Sequence, residues 1–269
     1  MEHMPPRPDR GEFPYWLVLV VGVGTYLAWR VWQDDLYSEI FSTISRGVWV
    51  TLFVTGVGFV SACLIGLVLD VGSLSRWVVW RQLARLYIEV VRGVPILVLL
   101  ILVAFVFTPL LVTAINALVE PLGFEAWRTR DISFLWRAII ALTVAYSAFI
   151  AEVFRAGIQA VDRGQIEAAE ALGLSRWQRF RLIVLPQAFR TILPPLGNDF
   201  IAMVKDSSLV SILGVADISQ LGKVTAAGNF RYFETYNIVA FIYLALTITL
   251  SLALRRIEQR LRSRPDLSE

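Results

Sequence analysis

Histidine, cysteine and charge are all scarce in this sequence. Its 269 residues include one histidine, His3, and one cysteine, Cys63. A single thiol cannot form an intrachain disulfide, and two such residues cannot build a thiolate or imidazole metal site. Nucleophilic sites that pair serine or cysteine with histidine are excluded unless His3 folds into the interior. We therefore expect no catalytic site, no metal and no cofactor.

The sequence also lacks the GxxxxGK[ST] loop that cradles nucleoside triphosphates. If ATP drives this protein, a partner must bind it. The formal net charge is +3, but the basic residues lie in short segments between apolar blocks and form no aromatic-interleaved patch. We therefore expect no nucleic-acid partner.

Apolar residues are abundant and arranged in blocks. They make up 57% of the chain against 17% charged residues, which leaves too little polar surface to cover a soluble globule. A helix needs about 20 apolar residues to cross a bilayer. The pattern predicts an all-α integral membrane protein with about six transmembrane helices. The predicted spans are 13–28, 47–69, 93–119, 138–151, 192–215 and 236–254.

Three details qualify these spans. The first block could be a cleaved signal peptide, because Arg7 and Arg10 precede it, but it ends in Trp-Arg-Val-Trp-Gln instead of small residues. The segment 34–46 has apolar residues on one helical face and suits a short helix on the membrane surface. Pro95 predicts a bend at the start of the third span.

The distribution of arginine predicts sidedness. Segments 71–92, 155–190 and 255–269 carry four, six and five arginines, and basic residues favour cytoplasmic loops. Both termini are therefore expected on the cytoplasmic side.

The segment 164–186 predicts two short helices that meet at a glycine elbow. Residues 167–172 are strong helix formers, and Gly173 suits the left-handed residue that ends a helix. Ser175 can cap the next helix, and Pro186 is expected to limit it. Helices this short are marginal alone in water, so the elbow is expected to gain stability by docking, either against its own bundle or in another protein's cleft.

This segment resembles the EAA loop of ABC importer permeases. The pattern is Glu167-Ala168-Ala169, then Gly173, then Leu185-Pro186. The flanks 151–161 and 198–212, and the stretch 87–98, are similar to the polar amino acid branch, whose members carry histidine, glutamate, glutamine, arginine or opines. The resemblance covers about 44–258. Val94 stands where the branch often has a hydroxyl residue, and Val98-Leu99 where glutamine is common.

The resemblance implies a five-helix ABC importer core at 34–258, with the EAA loop at 155–190, an extra N-terminal helix at 1–33 and a cytoplasmic tail at 259–269. It implies a bacterial plasma (inner) membrane location and a cytoplasmic coupling helix. The implied partners are two cytoplasmic ATP-binding subunits, a second permease subunit, identical or related, and a periplasmic or extracellular binding protein that delivers a polar amino acid. The implied ATPase-coupling residues are Gly164, Glu167, Ala168, Ala169, Gly173 and Pro186. The alternative for this loop is an ordinary amphipathic hairpin that covers a helix end and has no coupling role.

Ionisable residues inside spans are costly and often line a substrate route. The candidates for a substrate pathway are Asp199, Lys205, Asp206, Ser207 and Ser208. A structural alternative pairs Asp199 with Arg155 and Lys205 with Asp206. Glu152 and Arg155 share a helix face and more simply orient the loop. Tyr146 and Ser147 are weaker pathway candidates.

Other functions fit less well. A self-contained secondary transporter is expected to show internal repeats, and none is evident. A permease of another importer branch would share the loop and differ in the flanks. A membrane enzyme lacks the histidines and metal ligands it would need.

Overall fold

A computed structural model describes residues 15–262, and every regular element in that range is a helix. The helices are α1 (Tyr15–Gln33), α2 (Asp35–Ser45), α3 (Gly47–Ser73), α4 (Val78–Gly93), α5 (Ile96–Leu102), α6 (Thr108–Val119), α7 (Phe134–Gln159), α8 (Arg163–Ala171), α9 (Arg176–Arg179), α10 (Leu185–Asp206), α11 (Ile218–Asn229) and α12 (Tyr232–Arg262). π-helical turns join α5 to α6 and α9 to α10, and a 3₁₀ helix, Ser207–Leu213, follows α10.

Over residues 15–262, each of the six predicted spans is mostly helical, which confirms the all-α prediction. Within the described residues, four stretches are long and apolar enough to cross a membrane. They are Asp35–Ser73, Ile96–Leu122, Phe134–Gln159 and Tyr232–Arg260. The other two blocks correspond to α1 and to α10, and α10 carries several charges and prolines. His3, Arg7 and Arg10 lie outside the described residues.

The core forms where α3 and α7 pack along most of their lengths, with α5 and α10 beside them. Small residues allow this close approach: a Cβ on Gly66 would lie 3.0 Å from the Ser147 carbonyl oxygen. Close backbone contact is how membrane helices gain packing energy without a hydrophobic driving force between them.

The chain breaks at the predicted bend. Helix α4 ends at Gly93 and α5 begins at Ile96, because Val94 and Pro95 are both extended. The arginine-rich segment before this bend, predicted as a loop, is therefore largely the helix α4.

The segment 34–46 does not simply lie on a membrane surface. Its helix α2 buries Tyr37, Ile40 and Ile44 against Ile218 of α11 and Ile238 of α12. The apolar face that suggested lipid contact therefore contacts protein.

Helix α11 was not predicted, since its sequence is short and polar. Asp217 caps it by accepting a hydrogen bond from the Gln220 amide at 2.8 Å. The Tyr243 hydroxyl of α12 donates to the same carboxylate at 3.2 Å. Gly47 lies against this cap, because a Cβ there would be 2.5 Å from the Ile218 nitrogen. These contacts hold α11 between α3 and α12.

Candidate functional site

The EAA segment folds as the predicted elbow. Asp162 caps α8 through the Gly164 amide at 2.6 Å. Gly173 has φ +78°, and the Leu174 amide donates to Ala169 O at 3.1 Å while the Gly173 amide donates to Glu170 O at 2.9 Å. This pair of bonds is the Schellman arrangement that ends a helix with a left-handed residue. Ser175 and Gln178 then form a reciprocal capping box that starts α9.

The prediction that Pro186 limits the second helix was wrong. The helix that starts at Arg176 continues as one rod through Pro186 to Asp206. A π-helical turn, Phe180–Val184, precedes the proline, and the Leu185 amide bonds to Phe180 O one residue further back than in an α-helix. The wider turn accommodates a ring that would otherwise clash with a backbone carbonyl.

The elbow contacts the long helices on both sides of it, which are α7 and the continuous helical rod Arg176–Asp206. Val161, Val184, Ala188 and Ile192 form a compact apolar cluster, and Ile166 of α8 packs against it. Ala169 of α8 is also buried. The side-chain Nε2 of Gln187 donates a hydrogen bond to Gln165 Oε1 at 2.5 Å. Arg179 forms an ion pair with Glu170 at 2.5 Å. The loop is therefore stabilised by contacts within its own chain.

The tip of the elbow is exposed. Gly164, Glu167, Ala168 and Gly173 are all accessible, whereas Ala169 faces inward. Leu172, at the tip, leaves 80% of its surface exposed.

The candidate pathway residues occupy different surroundings. The Tyr146 hydroxyl of α7 donates to Asp206 Oδ2 at 2.7 Å. Asp206 and Ser208 are half-buried and Lys205 is exposed. Ser207 is fully buried, and its hydroxyl donates to Val204 O at 2.7 Å.

Asp199 is the least satisfied of these residues. Its buried Oδ2 has no hydrogen-bond partner among the described residues. The alternative pairings do not form in residues 15–262, because Arg155 forms an ion pair with Glu152, and no ion pair joins Lys205 to Asp206. Tyr146, a weaker candidate from sequence, is thus the residue that binds Asp206.

Glu152 joins two helices, α7 and α4. It pairs with Arg155 on α7, as its spacing predicted, and with Arg92 of α4 at 3.9 Å. Nearby Asp70 of α3 is 1% exposed, and neither of its carboxylate oxygens has a partner within the described chain. Sequence reasoning missed Asp70 because it ends an apolar block like an ordinary boundary residue.

Comparisons with known proteins agree with this architecture. Residues 58–263 match the family model described as "Binding-protein-dependent transport system inner membrane component". The probable amino-acid permease protein YxeN of Bacillus subtilis is 37% identical over 230 residues, which cover 84% of this chain and 93% of YxeN. The glutamine transport system permease protein GlnP of Escherichia coli is 35% identical over 218 residues, covering 81% and 92%.

Solved structures show the same fold. A crystal structure of an amino acid ABC transporter with histidines superposes with a TM-score of 0.70 at 35% identity, covering 84% of this chain and 96% of that one. The inward-facing MetNI methionine ABC transporter gives a TM-score of 0.64 at 23% identity, which shows the fold alone. The chain therefore belongs to the family of inner membrane components of binding-protein-dependent transport systems.

Proposed function

We propose that this chain is the permease subunit of an ABC importer for polar amino acids. It is a multi-pass inner membrane protein, and both relatives named above carry amino acid or glutamine permease in their names. The proposed importer contains two copies of a cytoplasmic ATP-binding subunit, a second permease subunit and an external binding protein. ATP hydrolysis takes place in the partner, and both termini of this chain lie in the cytoplasm.

The observation that carries the proposal is that two long helices connect the elbow to the polar residues Tyr146 and Asp206. Helix α7 runs directly into the elbow at Gln159, and the rod Arg176–Asp206 leaves it. Tyr146 and Asp206, which lie on these two rods, are joined by a hydrogen bond. A partner that moves the exposed tip therefore displaces both rods and the polar pair between them.

Gly164, Glu167, Ala168 and Gly173 form the proposed contact surface for the ATPase. Glu167 offers hydrogen-bond acceptors, and the lack of large side chains at Ala168 and Gly173 lets a partner approach closely. Ala169 and Pro186 lie behind this surface. Ala169 is buried, and Pro186 follows the π-helical turn in the helix that leaves the elbow.

The substrate would pass beside α10. A zwitterion presents an ammonium and a carboxylate, and Asp199, Asp206 and Lys205 offer both signs of charge on one helix. Unpaired carboxylates are costly within a membrane, so a cationic group that enters their neighbourhood is stabilised. Ser208 adds a hydroxyl, whereas the side chain of Ser207 supports the backbone.

The experiment is uptake into proteoliposomes that contain the complete complex, the external binding protein and enclosed ATP. Radiolabelled glutamine, glutamate, arginine and histidine are tested separately. We expect uptake of at least one, dependent on ATP and on the binding protein. Uptake without an ATP-binding subunit would contradict the proposal.

The Gly173→Asp variant tests the elbow in the same assay. The negative charge that it adds to the proposed contact surface is expected to abolish uptake without lowering membrane abundance. Gly228→Asp is the matched control, because Gly228 is exposed, has open space for a Cβ and has no positive φ. Equal uptake by Gly173→Asp and the wild type would remove the coupling role.

The pathway is tested with Asp206→Asn and Ser208→Ala. We expect each to raise the substrate concentration needed for half-maximal uptake. An unchanged concentration dependence in both variants would show that substrate does not contact these residues.

A further inference from the structure

Helix α4 presents three stripes along its length. Ala84, Ile88 and Val91 are buried and follow the i, i+4, i+7 spacing of one helical face. This face packs on α3 and α7. Most of the residues on the other faces of the helix are exposed.

One exposed stripe is apolar. Val79, Leu83, Leu86 and Val90 repeat the same spacing, and each leaves more than half of its surface exposed. Trp80 beside this stripe is 60% exposed, and Trp77 at the start of the helix is 73% exposed. Aromatic rings of this kind favour the boundary between hydrocarbon and water.

The other exposed stripe is basic. Arg81, Arg85 and Arg92 follow it, Glu89 is its one acidic residue, and Arg76 lies just before the helix. Arg92 pairs with Glu152, and Arg81 donates to the Ser75 carbonyl oxygen at 3.2 Å. Arg76 and Arg85 are exposed and form no ion pair with any residue in 15–262.

The position of α4 in the fold places it at the end of a span. A Cβ built on Gly72, in the last turn of α3, lies 3.4 Å from the Ala84 Cβ. Since α3 belongs to a stretch that is long and apolar enough to cross a membrane and that ends at Ser73, we infer that the middle of α4 lies near the end of that span. At this depth one face meets acyl chains and another meets headgroups.

We propose that α4 is a binding surface for anionic phospholipids, with Arg76 and Arg85 contacting the phosphates and the stripe Val79–Leu83–Leu86–Val90 contacting the acyl chains. Guanidinium groups match phosphate oxygens through paired hydrogen bonds. A soluble protein docked on the arginines would leave the adjacent apolar stripe unexplained, whereas a phospholipid has both chemistries side by side. The charge complementarity therefore favours a lipid occupant.

The test measures lipid binding to the purified full-length chain in detergent, without any transport assay. Phosphatidylglycerol and, separately, phosphatidylcholine are titrated in and bound lipid is counted by native mass spectrometry. We expect the wild type to bind phosphatidylglycerol more tightly. Each arginine near an anionic surface contributes about fivefold, so Arg76→Gln with Arg85→Gln is expected to weaken phosphatidylglycerol binding about 30-fold. Binding to the wild type should also fall as salt rises.

Two further double variants make the result decisive. Arg128→Gln with Arg130→Gln removes the same charge from an exposed turn after α6 and should change binding less than twofold. Arg76→Lys with Arg85→Lys should restore most of the affinity. No preference of the wild type for phosphatidylglycerol, or equal losses in the test and control pairs, would overturn the proposal. The copurification of an ATP-binding subunit is measured separately for the Arg76→Gln, Arg85→Gln variant. If this variant still binds phosphatidylglycerol like the wild type but no longer copurifies with the subunit, the proposal is overturned in favour of a protein-docking face.

Discussion

Gly173 is the residue whose backbone conformation sets the elbow. Its φ of +78° lies in the left-handed region, and a Cβ at this position would meet nothing within 4 Å. A substitution there is therefore strained through the backbone and not through a clash. For most residues the left-handed conformation costs about 1–2 kcal/mol, whereas asparagine tolerates it better.

Because a substitution at Gly173 strains the backbone without clashing with a neighbour, variants that differ in their tolerance of a positive φ should differ in activity. Gly173→Asn is expected to keep most ATP-dependent uptake, and Gly173→Val to lose most of it, because a β-branched residue resists a positive φ. Uptake is measured at equal membrane abundance. Equal activity of the two variants would show that the left-handed conformation of the elbow is not required.

At the residue scale, the sequence predicted local backbone features but not the side-chain contacts between distant residues. The left-handed glycine and the Ser175 cap follow from local backbone rules, and the structure confirms both. The hydrogen bond from Tyr146 to Asp206 joins residues 60 positions apart, and no local pattern encodes it. Asp70 was missed for the same reason, since its burial depends on the packing of α3 against α7.

The attachment of α11 is a feature of elements. Gly47 of α3 packs directly on the backbone that begins α11, with only 2.5 Å available between a built Cβ and the Ile218 nitrogen. Backbone cannot move aside as a flexible side chain can. The two elements can therefore be separated by a single methyl group.

We expect Gly47→Ala to destabilise the folded protein by about 1–3 kcal/mol, the usual range for overpacking. Gly56→Ala is the matched control, because it lies in the same helix and a Cβ there meets nothing within 4 Å. Thermal unfolding of both variants in detergent measures the difference. A Gly47→Ala protein as stable as Gly56→Ala would contradict this close contact.

Asp217, the cap of α11, gives a prediction about pH. It lies between the fifth predicted span and α12, and burial raises the pKa of its carboxyl from 3.8 to about 6, although hydrogen bonds from Gln220 and Tyr243 oppose the shift. Because the folded state favours the protonated acid, the stabilising effect is complete below pH 3.8 and is lost as the pH rises through about 6.

The wild type is therefore expected to lose on the order of 3 kcal/mol relative to Asp217→Asn between pH 4 and pH 7.5, since one pKa unit corresponds to about 1.4 kcal/mol. Asparagine keeps the capping oxygen and cannot titrate. Unfolding midpoints of both proteins across this pH range provide the measurement. Parallel pH profiles would show that Asp217 titrates normally.

The elements that sequence reasoning missed share a physical cause. Helix α4 was predicted as an arginine-rich loop because its apolar residues are divided between two faces, so no single apolar stripe dominates. Pro186 was expected to end a helix, but a π-helical turn absorbs it. Long apolar spans were predictable because their composition alone requires lipid, whereas short helices depend on tertiary contacts.

At the scale of the whole molecule, the exposed tip and the polar residues are joined by continuous rods. Ile158 of α7 and Ile166 of α8 pack on the apolar cluster that includes Val184 and Ala188, and the ion pair between Arg179 and Glu170 joins α8 to α9. These rods carry Tyr146 and Asp206 at a distance from the tip. Movement at one end is expected at the other, which is what an ATP-driven permease requires.

The most direct test of this claim uses Leu172, which is 80% exposed at the tip. In a Cys63→Ser background, Leu172→Cys supplies the only thiol of the chain. We predict that a maleimide–succinimidyl ester reagent cross-links this thiol to an amine of the ATP-binding subunit, and that the cross-link blocks uptake. A membrane-impermeant maleimide is expected not to label the thiol from outside intact cells. Labelling from outside, or uptake that continues unchanged once Leu172→Cys is cross-linked, would contradict the account.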